Sequence, residues 1–204
     1  MKRKGLLLVI SGPSGAGKGT ICKEFLENNK DVKLSVSATT RSPREGEVDG
    51  VNYFFVTKDK FKEMIDNNEL LEHAQIYDNF YGTPKAAILE NLENGNDVVL
   101  EIEMQGARQI KEVYPEGVFI FILPPSLDEL KNRIVGRGTE TEEQIKKRFG
   151  SALDEICQIK DYDYFIINKD VHTSAKEVEH IISAEKNKVY RYKDSIIKKF
   201  KEEL

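Results

Sequence analysis

Near the amino terminus Gly12, Pro13, Ser14, Gly15, Ala16, Gly17, Lys18, Gly19 and Thr20 follow the apolar run 6–10 and Ser11. Glycines let a backbone curl until successive N–H groups point inward at an anion. The helix expected from Thr20 to about Asn28 aims its positive end at the same point. Lys18 adds a full charge that can reach terminal phosphates. The spacing G-x4-G-K between a strand and a helix predicts a phosphate cradle, and with it nucleotide binding. A glycine turn that merely links strand to helix is the plainer alternative. The cradle alone does not separate an ATPase, a GTPase and a small-molecule kinase.

The arginines narrow the choice. Arg41 and Arg44 lie three apart in a loop, whereas Arg133, Arg137 and Arg148 fall around Gly136 and Gly138 in what reads as a mobile flap. Guanidinium grips phosphate through two parallel N–H bonds and stays charged at any working pH. Two such groups, separated by the body of the chain, point to two phosphate-bearing ligands; ordinary solvent arginines are the alternative. His73, His172 and His180 have no partner pattern and read as surface or packing residues.

The elements that must position these groups follow from patterning. Besides 6–10, the runs 32–36, 98–102, 118–123 and 164–167 are apolar, and several are near-continuous, as strands covered on both faces are. Helix-period segments lie between them, so the fold class is α/β, a parallel five-stranded sheet wrapped by helices. Ser126 to Glu129 reads as a capping box opening one helix, Thr141 to Gln144 another, and Ser174 to Glu177 the last. The charged tail 193–204 keeps Ile196, Ile197 and Phe200 and reads as a solvated helix end. Between Ser37 and Thr83 the rhythm breaks into short β-rich runs, 51–56 and 70–76, around a helix near 59–67. An insertion into a crossover, near the carboxyl ends of the strands, is where a second ligand would be held.

The bulk numbers agree. At 204 residues and 39% hydrophobic the chain can bury one sizeable core. Charged residues reach 32%, yet net charge is only −4, which gives no general attraction to nucleic acid or an anionic membrane. Cys22 and Cys157 lack metal-ligand spacing and read as free thiols of a reducing, cytosolic setting. The apolar start is too short for a signal peptide or a membrane span. Oligomeric state is not encoded in any pattern found.

Taken together the residues resemble the guanylate kinase family over nearly the whole chain. The resemblance is carried by the Gly12–Lys18 cradle, the block from Ser35 to Gly50 that includes Arg41 and Arg44, Tyr53 with Phe54 and Phe55, Leu71 to Ala74, Tyr81 to Thr83, Glu101 to Gly106, and Gly136 to Glu142. The resemblance implies transfer of the γ-phosphoryl group of ATP to GMP, with Mg²⁺ accompanying ATP and dGMP left open as an acceptor. It implies a core of residues 1–34, 85–124 and 151–204, a small mixed α/β GMP-binding subdomain 35–84 and a short helical lid 125–150.

Carried over by position, the resemblance implies that Arg41, Arg44, Tyr53 and Tyr81 hold the GMP phosphate. Glu72, with Ser37 and Thr83, corresponds to the guanine reader: a carboxylate accepts from guanine N1–H and its 2-amino group together, and adenine offers neither. Arg133, Arg137 and Arg148 match lid arginines over the transferring phosphoryl group, and Asn168 matches a position that helps hold the ATP base. Glu103 stands where the family commonly has Asp; a site role is implied, of which the detail stays open, and Glu101 is either a ligand-facing or a supporting acid. Gly19 is a second departure, since Ser or Thr usually follows the Lys and binds the metal. Thr20, one residue later, is the candidate hydroxyl. A scaffold module that keeps the fold without catalysis would have degraded the cradle, which is intact, and a kinase for another monophosphate would need Glu72 to tolerate a different base edge.

Overall fold

The structure, a computed structural model, describes residues 4–76, 78–136 and 142–203, and of residues 142–148 the backbone alone. In chain order the elements are β1 (Leu7–Ser11), α1 (Lys18–Asn28), β2 (Lys33–Leu34), β3 (Ala38–Thr39), β4 (Phe54–Phe55), α2 (Lys58–Asp66), β5 (Leu70–Ile76), β6 (Asn79–Pro84) and α3 (Lys85–Glu93). They continue with β7 (Val98–Glu101), α4 (Met104–Val113), β8 (Val118–Leu123), α5 (Leu127–Val135), α6 (Glu142–Ile156), a 3₁₀ turn (Cys157–Asp161), β9 (Tyr164–Ile167), α7 (Val171–Glu185) and α8 (Val189–Glu202).

Five strands form one parallel sheet in the order β2-β7-β1-β8-β9. Its centre is apolar on both faces because helices cover both. Leu8, Ile10, Ile120 and Ile122 pack with Phe25 of α1 and Val178 of α7 on one side. Leu7, Val9, Leu100 and Phe119 pack with Ile88 and Leu92 of α3 and Ile110 of α4 on the other. Each fully buried side chain of this size contributes about 1.5–3 kcal/mol of apolar transfer energy. The sheet is therefore a rigid base for the loops at its carboxyl end. The run 32–36 yields only a two-residue edge strand, because the chain turns away after Ser35 N–H reaches Val99 O at 2.9 Å.

The inserted region builds a second sheet, β4-β3-β6-β5, parallel between β3 and β4 and antiparallel elsewhere. Helix α2 seals it with Phe61 and Met64 against Ala38 and Leu70. The Thr57 hydroxyl caps α2 by accepting from Lys60 N–H. Strands β3 and β6 have no anticipation in the sequence pattern: β3, with two residues, is too short to show a period of two, and β6 carries Gly82 and Pro84 among its six. The β-rich run 51–56 shrinks to Phe54–Phe55.

Helices α2, α5 and α7 start on side-chain caps. Ser126 opens α5 as its spacing predicts, accepting from Glu129 N–H at 3.1 Å. The expectation for Ser174 is corrected: α7 begins at Val171, where Asp170 accepts from Thr173 N–H at 2.8 Å, and Ser174 is buried one turn inside. A carboxylate also gains from the helix dipole, and α7 has one four residues earlier. Nor is α7 the last helix, because α8 follows it with none of its residues buried. Thr141 lies outside the described residues. Cys22 is buried and Cys157 exposed, both free. Among the described residues no helix is long and apolar enough to cross a membrane.

Candidate active site

The cradle grows out of β1 at the carboxyl edge of the parallel sheet. Gly12 (φ +148) has no room for a side chain, since a Cβ there would sit 2.3 Å from Ile122 O. Gly17 (φ +94) caps α1 without any side-chain hydrogen bond, which leaves the first-turn N–H groups to an anion. Lys18 is buried, and its Nζ donates to Gly12 O at 2.7 Å and lies 3.8 Å from the Glu103 carboxylate. The ammonium is thus folded back over the loop it serves. Gly19 faces Glu101, whose Oε1 would be 3.2 Å from a Cβ at position 19. Thr20 is exposed on the first turn of α1.

A cleft of about 310 Å³ joins this loop to the second sheet. Its walls bring together Lys18, Ser37, Arg41, Arg44, Tyr53, Glu72, Tyr81, Glu101 and Glu103. Pairing of Thr39 with Tyr81 in β3 and β6 puts the phenol beside the loop that carries Arg41. The Tyr53 and Tyr81 rings meet edge to face at 6.0 Å, and the Arg41 guanidinium lies 5.5 Å from the Tyr53 ring centre. Burial raises the Tyr53 hydroxyl above its ordinary range, so it stays a donor. Arg41 also forms a two-pronged ion pair with Glu47, at 2.8 and 2.9 Å. That pairing holds the Glu47 carboxyl below its usual range and raises Arg41.

Glu72 sits at the floor of the same cleft, 6% exposed, on β5. The buried Thr83 hydroxyl of the neighbouring strand donates to its Oε1 at 2.6 Å. Burial pushes the carboxyl up to about 6, against the pull of that hydrogen bond. Gly106 of α4 is also on the wall, and Glu72 Oε2 would lie 2.5 Å from a Cβ built there.

Behind the cradle, Arg133 of α5 pairs with Glu129 and donates to Ala16 O at 3.3 Å and to Asn168 O at 3.0 Å. Asn168, 3% exposed at the end of β9, donates from Nδ2 to Ala16 O at 2.8 Å. Helix α6 reaches the loop too, through Ser14 N–H to Glu155 at 3.3 Å. Arg137 and the Arg148 side chain lie outside the described residues. Pro13, Gly15 and Ala16 complete the loop backbone, with Ala16 N–H donating to Pro13 O at 3.1 Å.

The family model for guanylate kinase matches residues 4–185. The chain belongs to the guanylate kinase family. It is 77% identical over 202 residues to the guanylate kinase of Clostridioides difficile, covering 99% of this chain and 98% of that protein. It is 60% identical to the guanylate kinase of Caldanaerobacter subterraneus subsp. tengcongensis, covering 97% of this chain and 96% of that one. The crystal structure of guanylate kinase from Anaplasma phagocytophilum superimposes with a TM-score of 0.79 at 35% identity, over 94% of this chain and 91% of that one. As a guanylate kinase the chain is a nucleotide-binding transferase whose family reaction is phosphoryl transfer from ATP to GMP.

Within this guanylate kinase fold, sequence reasoning passes over two participants. Glu47 is the acid that engages Arg41, and Gln109 ties α4 to β5 through both its amide atoms at His73. Neither has a sequence signal of its own, since an exposed-type acid and amide in polar stretches look like surface.

Proposed function

We propose that this chain carries out the ATP-to-GMP transfer with GMP lying between the two sheets and ATP on the cradle. The observation that carries the assignment of the acceptor end is Glu72. It is a buried carboxylate, oriented by Thr83, at the floor of a cleft whose rim carries Arg41, Arg44, Tyr53 and Tyr81. Two guanidinium groups and two phenols saturate the oxygens of a phosphate dianion. The Glu72 carboxylate accepts from guanine N1–H and the 2-amino group, with Ser37 beside it. An adenine edge would leave that carboxylate buried and unpaired, so selectivity comes from the mismatch as much as from attraction. Glu103 faces Lys18 across the cleft and orients it.

At the donor end, the loop 12–20 and Lys18 hold the ATP phosphates through N–H groups and one ammonium. Arg133, already drawn to Ala16 O, stands beside the same phosphates. With Arg137 and Arg148 it makes up the lid set, where a single such arginine is worth roughly 10³–10⁵ in rate in related systems. Asn168 buttresses the loop from behind and borders the ATP base. The nucleophile is a phosphate oxygen of GMP, anionic at neutral pH, so no general base is required. What these residues do is bring two polyanions together and stabilise the equatorial oxygens between them. We assign residues 35–84 to GMP binding and 125–150 to the lid, on the core of the remaining segments.

Among the described residues no group of three or more His, Cys, Asp or Glu could hold a metal ion. The hard oxygen donors beside the cradle, the Thr20 hydroxyl and the Glu101 carboxylate next to Gly19, fit Mg²⁺, which takes most of its ligands from phosphate and water. Bound with ATP beside these donors, Mg²⁺ would supply neutralisation of phosphate charge.

A panel of acceptors tests the reading. With ATP and Mg²⁺, ADP release is expected with GMP and much less with AMP, CMP or UMP. Comparable release with AMP would remove the guanine assignment.

A further inference from the structure

Gly106 plays no part in the roles above, and its backbone gives no conformational reason for a glycine, since it lies in the first turn of α4. The reason is on the neighbouring strand. A Cβ at 106 would stand 2.5 Å from Glu72 Oε2, 2.9 Å from its Cδ and 3.4 Å from its Cγ. One turn along the same face of α4, Gln109 donates from Nε2 to His73 O at 2.8 Å and accepts from His73 N–H at 3.1 Å. That pair of bonds ties the helix to β5 at the residue next to Glu72. Helix and strand therefore cannot part to admit a methyl group. What would yield is the Glu72 side chain, and with it the 2.6 Å contact to Thr83.

We propose that Gly106, by presenting bare backbone to β5, sets the position of the Glu72 carboxylate and so the base preference of the acceptor site. It is a positioning residue, and the inference rests on the assignment of Glu72 as the guanine reader. The carboxylate is held between the Thr83 hydroxyl on one side and the uncovered turn of α4 on the other. Gln109 fixes the spacing that makes the fit tight. A glycine with a merely structural place in a helix behaves oppositely, because alanine is the better helix former there and should stabilise the chain.

The experiment compares four full-length chains: wild type, Gly106→Ala, Glu72→Ala and the double variant, by steady-state kinetics and thermal unfolding. For Gly106→Ala the GMP KM is expected to rise about ten-fold or more while the ATP KM stays within about two-fold. The preference for GMP over AMP should fall with it. In the Glu72→Ala background, the added alanine should change the GMP KM by less than about two-fold and raise Tm. An unchanged GMP KM in Gly106→Ala, or an equal rise in both backgrounds, overturns the proposal. If Gly106→Ala gives no folded chain, the double variant must restore a cooperative transition, and its failure to do so also overturns it. A wild-type chain without GMP-dependent ADP release would instead remove the reading of the acceptor site, and this inference with it.

Discussion

Glu72 shows how one residue carries conflicting demands. Burial raises its carboxyl from 4.5 to about 6. The folded chain therefore holds the proton more tightly than the unfolded one. The resulting stability is fully present below about pH 4.5 and is lost as pH rises through about 6, a difference on the order of 2 kcal/mol. The variant Glu72→Gln removes the buried charge. Its Tm should exceed that of wild type at pH 7 to 8 and converge with it near pH 4, while its GMP KM rises strongly at both ends. Equal Tm differences at all pH values would show that the carboxyl does not titrate between those limits. Function here requires an ion that the fold would rather keep neutral. Glu72 was legible from its motif, but its burial, its bond to Thr83 and its contact with α4 were not, because the groups that surround it come from other elements.

At the scale of elements, the cradle is the part most completely written in the local sequence. Its glycines answer to contacts with β8 and β9, however: Gly12 to Ile122 O and Gly17 to the Asn168 side chain. A Cβ at position 17 would lie 2.3 Å from Asn168 Nδ2 and would require an unfavourable φ. Gly17→Ala should therefore break the Asn168 to Ala16 bond, lower stability by about 1–3 kcal/mol and weaken ATP far more than GMP. Calorimetric titration with each nucleotide checks this, and equal weakening of both would place the effect outside the loop. Elsewhere, local patterning predicts elements where one side chain or one apolar run decides. Ser126 caps α5 as expected, but Ser174 loses α7 to Asp170, a stronger cap four residues earlier. The strand β3 escaped because its antiparallel partner, β6, lies more than 40 residues away in the chain.

For the whole molecule, the arrangement is two sheets with positive groups on either side of one cleft. Lys18 belongs to the parallel-sheet side, Arg41 and Arg44 to the side of the second sheet. Two anionic ligands bound together neutralise both walls and reward their approach. Small-angle scattering should show a smaller radius of gyration with GMP and a non-hydrolysable ATP analogue than with neither. An unchanged radius with both sites occupied would show that the walls start at their final separation. Arg41 pairs with Glu47 and Lys18 donates to Gly12 O, so each cation also has a partner within the protein.

By itself the sequence determined the α/β alternation of the core, the phosphate loop and the family, because these rest on neighbours a few residues apart and on side-chain periods that repeat. Tertiary structure alone decided which groups share a wall, and how close. The ionisation of Glu72 and the bare turn at Gly106 exist only where β5, β6 and α4 meet. Desolvation and steric exclusion act between atoms brought into contact, and no local pattern of residues encodes that contact.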